Sequence, residues 1–440
     1  VAVGSRGGMP AKSRPRFQRG NITTPKTAVP SSSRRMSHSH SRANYSFTAL
    51  ISRLLERRAY AAAVVFVTAL VLRLLYLVRI LQVHDGVRVA GDTPAFRRSC
   101  QILATEPLNV VSKVKGLMYL GFNIPFCVVE WLSGGSGLAW VLVQILVSAS
   151  TAVLVFYIGS QLTNRVGGFV AGMSIALLFD TFRYTAFLLA ETTFVFVFVL
   201  TIGSLVAYKR NPGTRRRAAV FGSMLWLSTT RPFGMPIVAC WLALDILPSD
   251  SPYRLNVLPR WFATSASVIL PAIILVFSSA RRKLKQVEIG WREGWILYQG
   301  KTDLFFSEYV YTPRPSGSFV EFVLVNADHI AIMSALRVLV LYVPLVDAWE
   351  SPFWNVFNAL VLVPLLLGSI YGGVKAIRRR PDVATLLLSP IVVVTAVVSV
   401  TLVSMAWRYR APLGPVFALL TGYAVSTLPQ VEAIADRLGD

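Results

Sequence analysis

The chain has 440 residues, of which 54% are hydrophobic and only 15% charged. A water-soluble globule carries charge on about a quarter of its residues, so this composition excludes that class and points to a chain buried in lipid. The formal net charge of +23 points first to nucleic acid, but its placement argues for a membrane. Before Glu56 the chain carries Arg6, Lys12, Arg14, Arg16, Arg19, Lys26, Arg34, Arg35, Arg42 and Arg53 with no acidic residue, and further runs (Lys209 to Arg217, Lys375 to Arg380) stand at the ends of apolar segments. That is the positive-inside pattern that orients membrane helices.

In chain order, residues 1–55 are rich in Ser, Arg, Pro and Gly and read as a disordered basic cytoplasmic tail. The first span is expected at about 60–82, beginning inside, followed by a long external loop at about 83–136 whose apolar stretch Val110 to Val128 suits the membrane surface. Further spans are expected at about 137–160, 166–181, 187–208, 217–231, 233–248 and 261–280. A second external loop is expected at about 281–330, then spans at about 353–374, 383–405 and 411–428, and a short C-terminal tail at 431–440. Ala331 to Val346 is apolar but short and interrupted by Arg337. Parity of the topology makes it a re-entrant or interfacial helix on the outer face. The fold class is therefore all-α: a polytopic transmembrane helix bundle of about 10–12 spans, ten by direct count, with two long external loops carrying interfacial helices. Cys100, Cys127 and Cys240 are scattered and odd in number, with no zinc spacing and no disulfide framework.

Ionisable groups at membrane depth are costly and usually functional. Arg73 lies inside the first span. The remaining ones gather by topology at one face: Asp85 and Asp92 after the first span, Asp180, Arg183 and Glu191 around one outer turn, Arg231 at a second, and Arg408 and Arg410 at a third. A guanidinium fork suits phosphate oxygens, and a carboxylate serves as a general base or holds a metal ion. Plainer roles stand beside these. Arginines at span ends snorkel to headgroups, Asp180 suits a helix start, and Glu191 suits a water-filled cavity.

Taken in order, these residues resemble the GT-C class of membrane glycosyltransferases that use polyprenyl-phosphate-linked sugars, in the bacterial aminoarabinose-, mannosyl- or arabinofuranosyl-transferase-like branch. The stretches that carry the resemblance are Gly91-Asp92-Thr93-Pro94-Ala95-Phe96 in the first external loop, Leu189-Ala190-Glu191, Arg231-Pro232, Arg408-Tyr409-Arg410-Ala411-Pro412, and Trp295 to Gly300 in the later loop. Phe96 stands where members often have Tyr, and the adjacent Asp-Glu pair of the protein O-mannosyltransferase branch is missing. The resemblance covers about 60–428 and makes 56–430 one GT-C-like domain. It implies an inverting single displacement. Asp92 would be the general base, Arg408 and Arg410 would hold the carrier phosphate, and Glu191 and Arg231 would line the same cavity. A divalent cation, if one takes part, would fall to Asp180; there is no dedicated cage, and no metal is assigned. The implied partners are a polyprenyl-phosphate-linked sugar donor, a lipid, glycan or protein acceptor, and membrane lipids, with no nucleic acid. The implied place is a bacterial inner membrane with the active face periplasmic or extracellular. A multi-spanning transporter or flippase of a lipid-linked or anionic substrate is the alternative. Such proteins often show internal duplication and charges near the midplane, neither of which is evident here.

Overall fold

The computed structural model describes residues 55–84, 86–89, 91–110, 117–248, 251–255, 285, 287–294, 314–344, 351–401 and 407–438. The architecture is helical. Among the described residues the only β pairing is an isolated bridge between Arg88 and Phe187. The helices are α1 (Arg58–Val83), α2 (Thr93–Thr105), α3 (Leu120–Leu132), α4 (Gly137–Leu162), α5 (Arg165–Leu177), α6 (Glu191–Arg210) and α7 (Thr214–Thr230). They continue with α8 (Gly234–Ile246), α9 (Phe319–Val325), α10 (Ala327–Tyr342), α11 (Pro352–Arg379), α12 (Pro381–Val400), α13 (Gly414–Ser426) and α14 (Pro429–Leu438).

Five of them, α1, α4, α6, α11 and α12, are long and apolar enough to cross a membrane, and three bent pairs raise the number to eight. A helix rises 1.5 Å per residue, so about 20 residues cover the ~30 Å hydrocarbon core. The ten expected spans compare with this number segment by segment. The one expected at 261–280 lies outside the described residues. α7 is helical as expected but opens on Arg215, Arg216 and Arg217, and α8 has only 13 residues. The protein is an integral membrane protein by these helices. α1 presents Val67, Val71, Leu75 and Val78 outward, and α11 presents Val356, Leu360, Leu367 and Ile370, the surface a helix offers to lipid.

Small residues let the central helices approach closely, as membrane helices commonly do. A Cβ on Gly168 of α5 would lie 2.6 Å from the Phe156 carbonyl oxygen of α4, and one on Gly372 of α11 would strike the Leu420 backbone of α13. Residues Gly414 to Leu420 of α13 are all buried. Asn164 caps α5 by accepting from the Gly167 amide at 2.9 Å, which sets the tight turn between α4 and α5. The C-terminal residues 429–438 form a helix whose Val431, Ile434 and Leu438 pack on Leu55, Ala61, Phe156 and Val166.

Arg73 is fully buried in α1 with hydrogen bonds to the Ser148 hydroxyl and to the carbonyls of Ala69, Ile175 and Ala176. Helix α5 ends at Leu177 and the chain bends there by 61°. The last carbonyls of a helix lack internal partners, and Arg73 supplies two of them. Its guanidinium also lies 5.5 Å over the Phe182 ring.

Between α1 and α4, the helices α2 and α3 pack against each other and against the start of α4. Phe96, Phe122, Phe126 and Trp140 form an edge-to-face and stacked cluster, and Arg97 of α2 pairs with Glu130 of α3 at 3.3 Å. Cys100 and Cys127 form a disulfide between the same two helices. This corrects the sequence expectation of no disulfide framework. The pairing depends on α2 and α3 lying side by side, and a separation of 27 residues does not reveal that.

The segment expected to re-enter or lie at the interface, 331–346, falls largely in α10, which meets α9 at an 88° bend. Arg337 and Ser334 bind the Ser399 and Val400 carbonyls at the end of α12. One turn later Tyr342 meets Thr395 at 2.6 Å. The Pro344 carbonyl then accepts from Asn358 in α11.

Candidate active site

Four charged residues from distant parts of the chain meet at the end of the bundle opposite the basic runs. Glu191 is the first residue of α6, where the helix macrodipole favours a negative group. Arg231 follows the last residue of α7 in an extended conformation, as expected for a residue before proline. Its Nη1 lies 3.3 Å from Glu191 Oε1. Arg408 stands on a helical turn, Trp407–Arg410. It donates through Nε to Glu191 and through Nη2 to Asp92 Oδ2 at 2.9 Å. Asp92 immediately precedes α2, where the Phe96 amide donates to its carbonyl at 3.2 Å. Thr93 fastens this corner by donating to the Leu188 carbonyl at 3.1 Å.

The four side chains form a ladder of increasing access. Glu191 is 1% exposed, Arg231 5%, Arg408 15% and Asp92 29%, so Asp92 marks the mouth and Glu191 the floor. The formal charges cancel, two against two. Arg231 lies over the rings of Phe194 and Tyr409. Tyr119 stands within electrostatic reach of Arg231, Asp92 and Arg408, and burial pushes its phenol up to about 12. It therefore remains a protonated donor near neutral pH. Tyr184 is likewise within reach of Glu191 and Arg408.

A second pair lies beside the ladder. Arg410 grips Asp180 in a fork, Nε to Oδ2 at 2.5 Å and Nη2 to Oδ1 at 3.1 Å, with side-chain exposures of 1% and 0%. Its Nη1 reaches the carbonyls of Leu341 and Val343. Asn358 completes the site from α11, donating to Asp180 Oδ1 at 3.4 Å and accepting from the Asp180 amide at 3.3 Å.

Of the six site residues expected from sequence, Asp92, Glu191, Arg231 and Arg408 thus form one connected set. Asp180 and Arg410 form a separate sealed pair that ties α10, α11 and the break after α5 together. Arg183 is buried against the Phe179 and Tyr184 rings. Asp85 and Trp295 to Gly300 lie outside the described residues. Tyr119 and Tyr184 belong to the site and carried no sequence signal.

Among the described residues no three His, Cys, Asp or Glu side chains gather, and Asp92, Glu191 and Asp180 each already face a guanidinium. A cavity of about 310 Å³ lies elsewhere, among Thr163, Asn164, Arg380, Ser426 and Asp436 near the turn between α4 and α5, and shares no residue with the ladder.

The sequence matches no protein-family model and no curated protein. Among solved structures, it is similar to the archaeal oligosaccharyltransferase AglB from Archaeoglobus fulgidus in complex with an inhibitory peptide and a dolichol-phosphate. The identity is 14%, covering 81% of this chain and 50% of that chain, with a TM-score of 0.45. It is also similar to ArnT from Cupriavidus metallidurans in the apo state, at 14% identity over 90% of this chain and 62% of that chain, with a TM-score of 0.42. Against ArnT bound to undecaprenyl phosphate the identity is 14%, over 84% of this chain and 61% of that chain, with a TM-score of 0.38. The chain thus spans one half to three fifths of the length of these proteins.

Proposed function

We propose that the chain is a membrane glycosyltransferase that moves a sugar from a polyprenyl-phosphate carrier to a lipid, glycan or protein acceptor, in a bacterial inner membrane and on its periplasmic or extracellular face. The observation that carries this reading is the ladder from Asp92 through Arg408 to Glu191 and Arg231. It places an accessible carboxylate beside an arginine whose fork suits a phosphate, over a floor that excludes solvent. The order of the motifs along the chain supports the same reading.

In the proposed reaction the acceptor oxygen attacks the anomeric carbon of the donor. The bond from that carbon to the phosphate oxygen breaks, and the electron pair leaves with the phosphate. The acceptor proton passes to Asp92 as general base. One displacement inverts the anomeric centre. Arg408 meets the charge that builds on the departing phosphate. Without donor, Arg408 is occupied by Asp92 and Glu191. A donor phosphate competes with Asp92 for its outer nitrogen, so loading the donor releases the base to meet the acceptor. Arg231 holds Glu191, which keeps Arg408 oriented, and the Asp180–Arg410 pair fixes the turn on which Arg408 stands. The alternative transporter or flippase gains no comparable support, because Asp92, Glu191, Arg231 and Arg408 stand at helix ends and on a short turn.

The test is sugar transfer from polyprenyl-phosphate donors by the purified protein, beside an Asp92→Asn variant matched for melting temperature. The parent consumes donor and the variant loses at least about a hundredfold in rate, the lower bound expected for a general base. Equal turnover by the two proteins would remove Asp92 from the chemistry.

A further inference from the structure

We infer that the floor of the ladder is a hydroxyl-binding subsite, in which Tyr184 and Thr192, with Glu191 and Arg231, hold the sugar of the donor. This rests on the glycosyltransferase reading and deepens it, since nothing above assigns Thr192 or gives Tyr184 a role.

Glu191 Oε2, Arg231 Nε and the Tyr184 hydroxyl are buried polar atoms of groups that meet at the start of α6, and Thr192 Oγ1 is a fourth on the next residue of that helix. None of them has a hydrogen-bond partner among the described residues. Their residues are 0%, 4%, 3% and 3% exposed, respectively. Buried polar groups are almost always hydrogen-bonded, and one left without a partner is costly. Other such atoms occur elsewhere, as in Asn123 and Trp241. The four named here belong to the charged ladder or to residues beside it.

The case of Thr192 shows why the vacancy is local. A buried helical threonine ordinarily donates back to the carbonyl four residues earlier, as Thr151, Thr201 and Thr230 do here at 2.6–2.8 Å. Thr192 is the second residue of α6, so the residue four positions earlier, Leu188, lies outside the helix, and its carbonyl accepts from Thr93. The anchoring of Asp92's corner thus coincides with an unused hydroxyl on the floor. Glu191 offers a similar asymmetry. Both guanidiniums contact Oε1, and Oε2 is left over.

The vacant atoms define the chemistry of what fills them. Glu191 Oε2 only accepts and Arg231 Nε only donates, while the two hydroxyls do both. A second phosphate would set negative charge against Glu191. A neutral polyol satisfies all four, since each of its hydroxyls donates and accepts. The phosphate accordingly sits toward the mouth, at Arg408, and the sugar sits inward.

The experiment uses the full-length protein in lipid nanodiscs and three probes: polyprenyl phosphate, polyprenyl-phosphate mannose and polyprenyl-phosphate arabinofuranose. The parent binds at least one sugar-bearing carrier more tightly than the bare carrier. Tyr184→Phe and Thr192→Val each weaken that sugar-bearing carrier about 2- to 10-fold, the effect of one neutral hydrogen bond, and leave the bare carrier unchanged. Thr192→Ser restores the parent affinity. The subsite is refuted if the parent gains nothing from the sugar, if neither variant changes the affinity for the sugar-bearing carrier (a pocket holding water only), or if the variants weaken both carriers equally. If one variant fails to fold, the other decides. Failure of the parent to bind even bare polyprenyl phosphate overturns the glycosyltransferase reading and this subsite with it.

Discussion

Replacing Arg410 with methionine removes one half of an ion pair whose side chains are 1% and 0% exposed. Among the described residues the Asp180 side chain would keep only the 3.4 Å contact from Asn358, and the sealed pocket would hold an uncompensated carboxylate. Breaking such a pair from one side costs about 3–5 kcal/mol, whereas removing both charges together is often close to neutral. In this protein the double change also leaves the Leu341 and Val343 carbonyls without their donor, a further cost of about 1–3 kcal/mol. Arg410→Met and Asp180→Asn should therefore each lower thermal stability strongly. The double variant should be at least as stable as either single one. Melting of the four proteins in one detergent, followed by fluorescence-detected gel filtration, gives the order directly. The same four proteins separate a brace from a phosphate ligand. If Arg410 is a brace, the double variant keeps transfer activity in proportion to its folded fraction. Single-variant losses that simply add in the double variant would refute the coupled pair, and a folded but inactive double variant would put Arg410 back on the substrate.

The disulfide predicts that, without reductant, denatured protein takes up alkylating agent at Cys240 alone, and at all three cysteines after reduction; three modified cysteines in the unreduced protein would exclude the bond. Chain-entropy reckoning for its 27-residue separation gives about 3.5 kcal/mol, so Cys100→Ser with Cys127→Ser should melt lower by a comparable margin. Arg73→Leu should cost about 1–3 kcal/mol by stranding the Ala176 carbonyl, while the Ile175 carbonyl keeps the Thr181 hydroxyl, and Arg73→Lys should recover little because lysine lacks the fork; an unchanged melting point would refute the capping role. Gly168→Leu should destabilise by about 1–3 kcal/mol through overpacking, while Gly222→Ala, where a Cβ meets open space, should be neutral or slightly stabilising.

Much of the bundle was legible because lipid leaves few alternatives to a helix of twenty apolar residues. The expected first span at 60–82 and the observed helix Arg58–Val83 differ by two residues at the start and one at the end. The interrupting Arg337 marked α10, and its reason is now visible: the side chain binds the Ser399 and Val400 carbonyls. The loop contacts were not legible. Cys100 lies one helical turn beyond Phe96, and Cys127 adjoins Phe126, but nothing in either segment announces that the two faces meet.

The candidate site shows where pattern reading stopped and geometry took over. Arg408 and Arg410 look like a matched pair in the string Arg-Tyr-Arg, and sequence reasoning assigned both to one phosphate. On a helical turn, two residues apart means about 200° apart, so the two guanidiniums must face opposite ways. One finds Asp92 and Glu191 at the open ladder and the other finds Asp180 in a sealed pocket. The opposition couples rigidity to reach. The buried fork of Arg410 fixes the turn, and the turn presents Arg408 to the mouth with its outer nitrogen on an exchangeable partner. On the proposed reading, Arg408 has to be held in place until a donor phosphate arrives and then be free to change partners. A single arginine cannot be both locked and available, and placing two on opposite sides of one turn resolves that conflict within three residues.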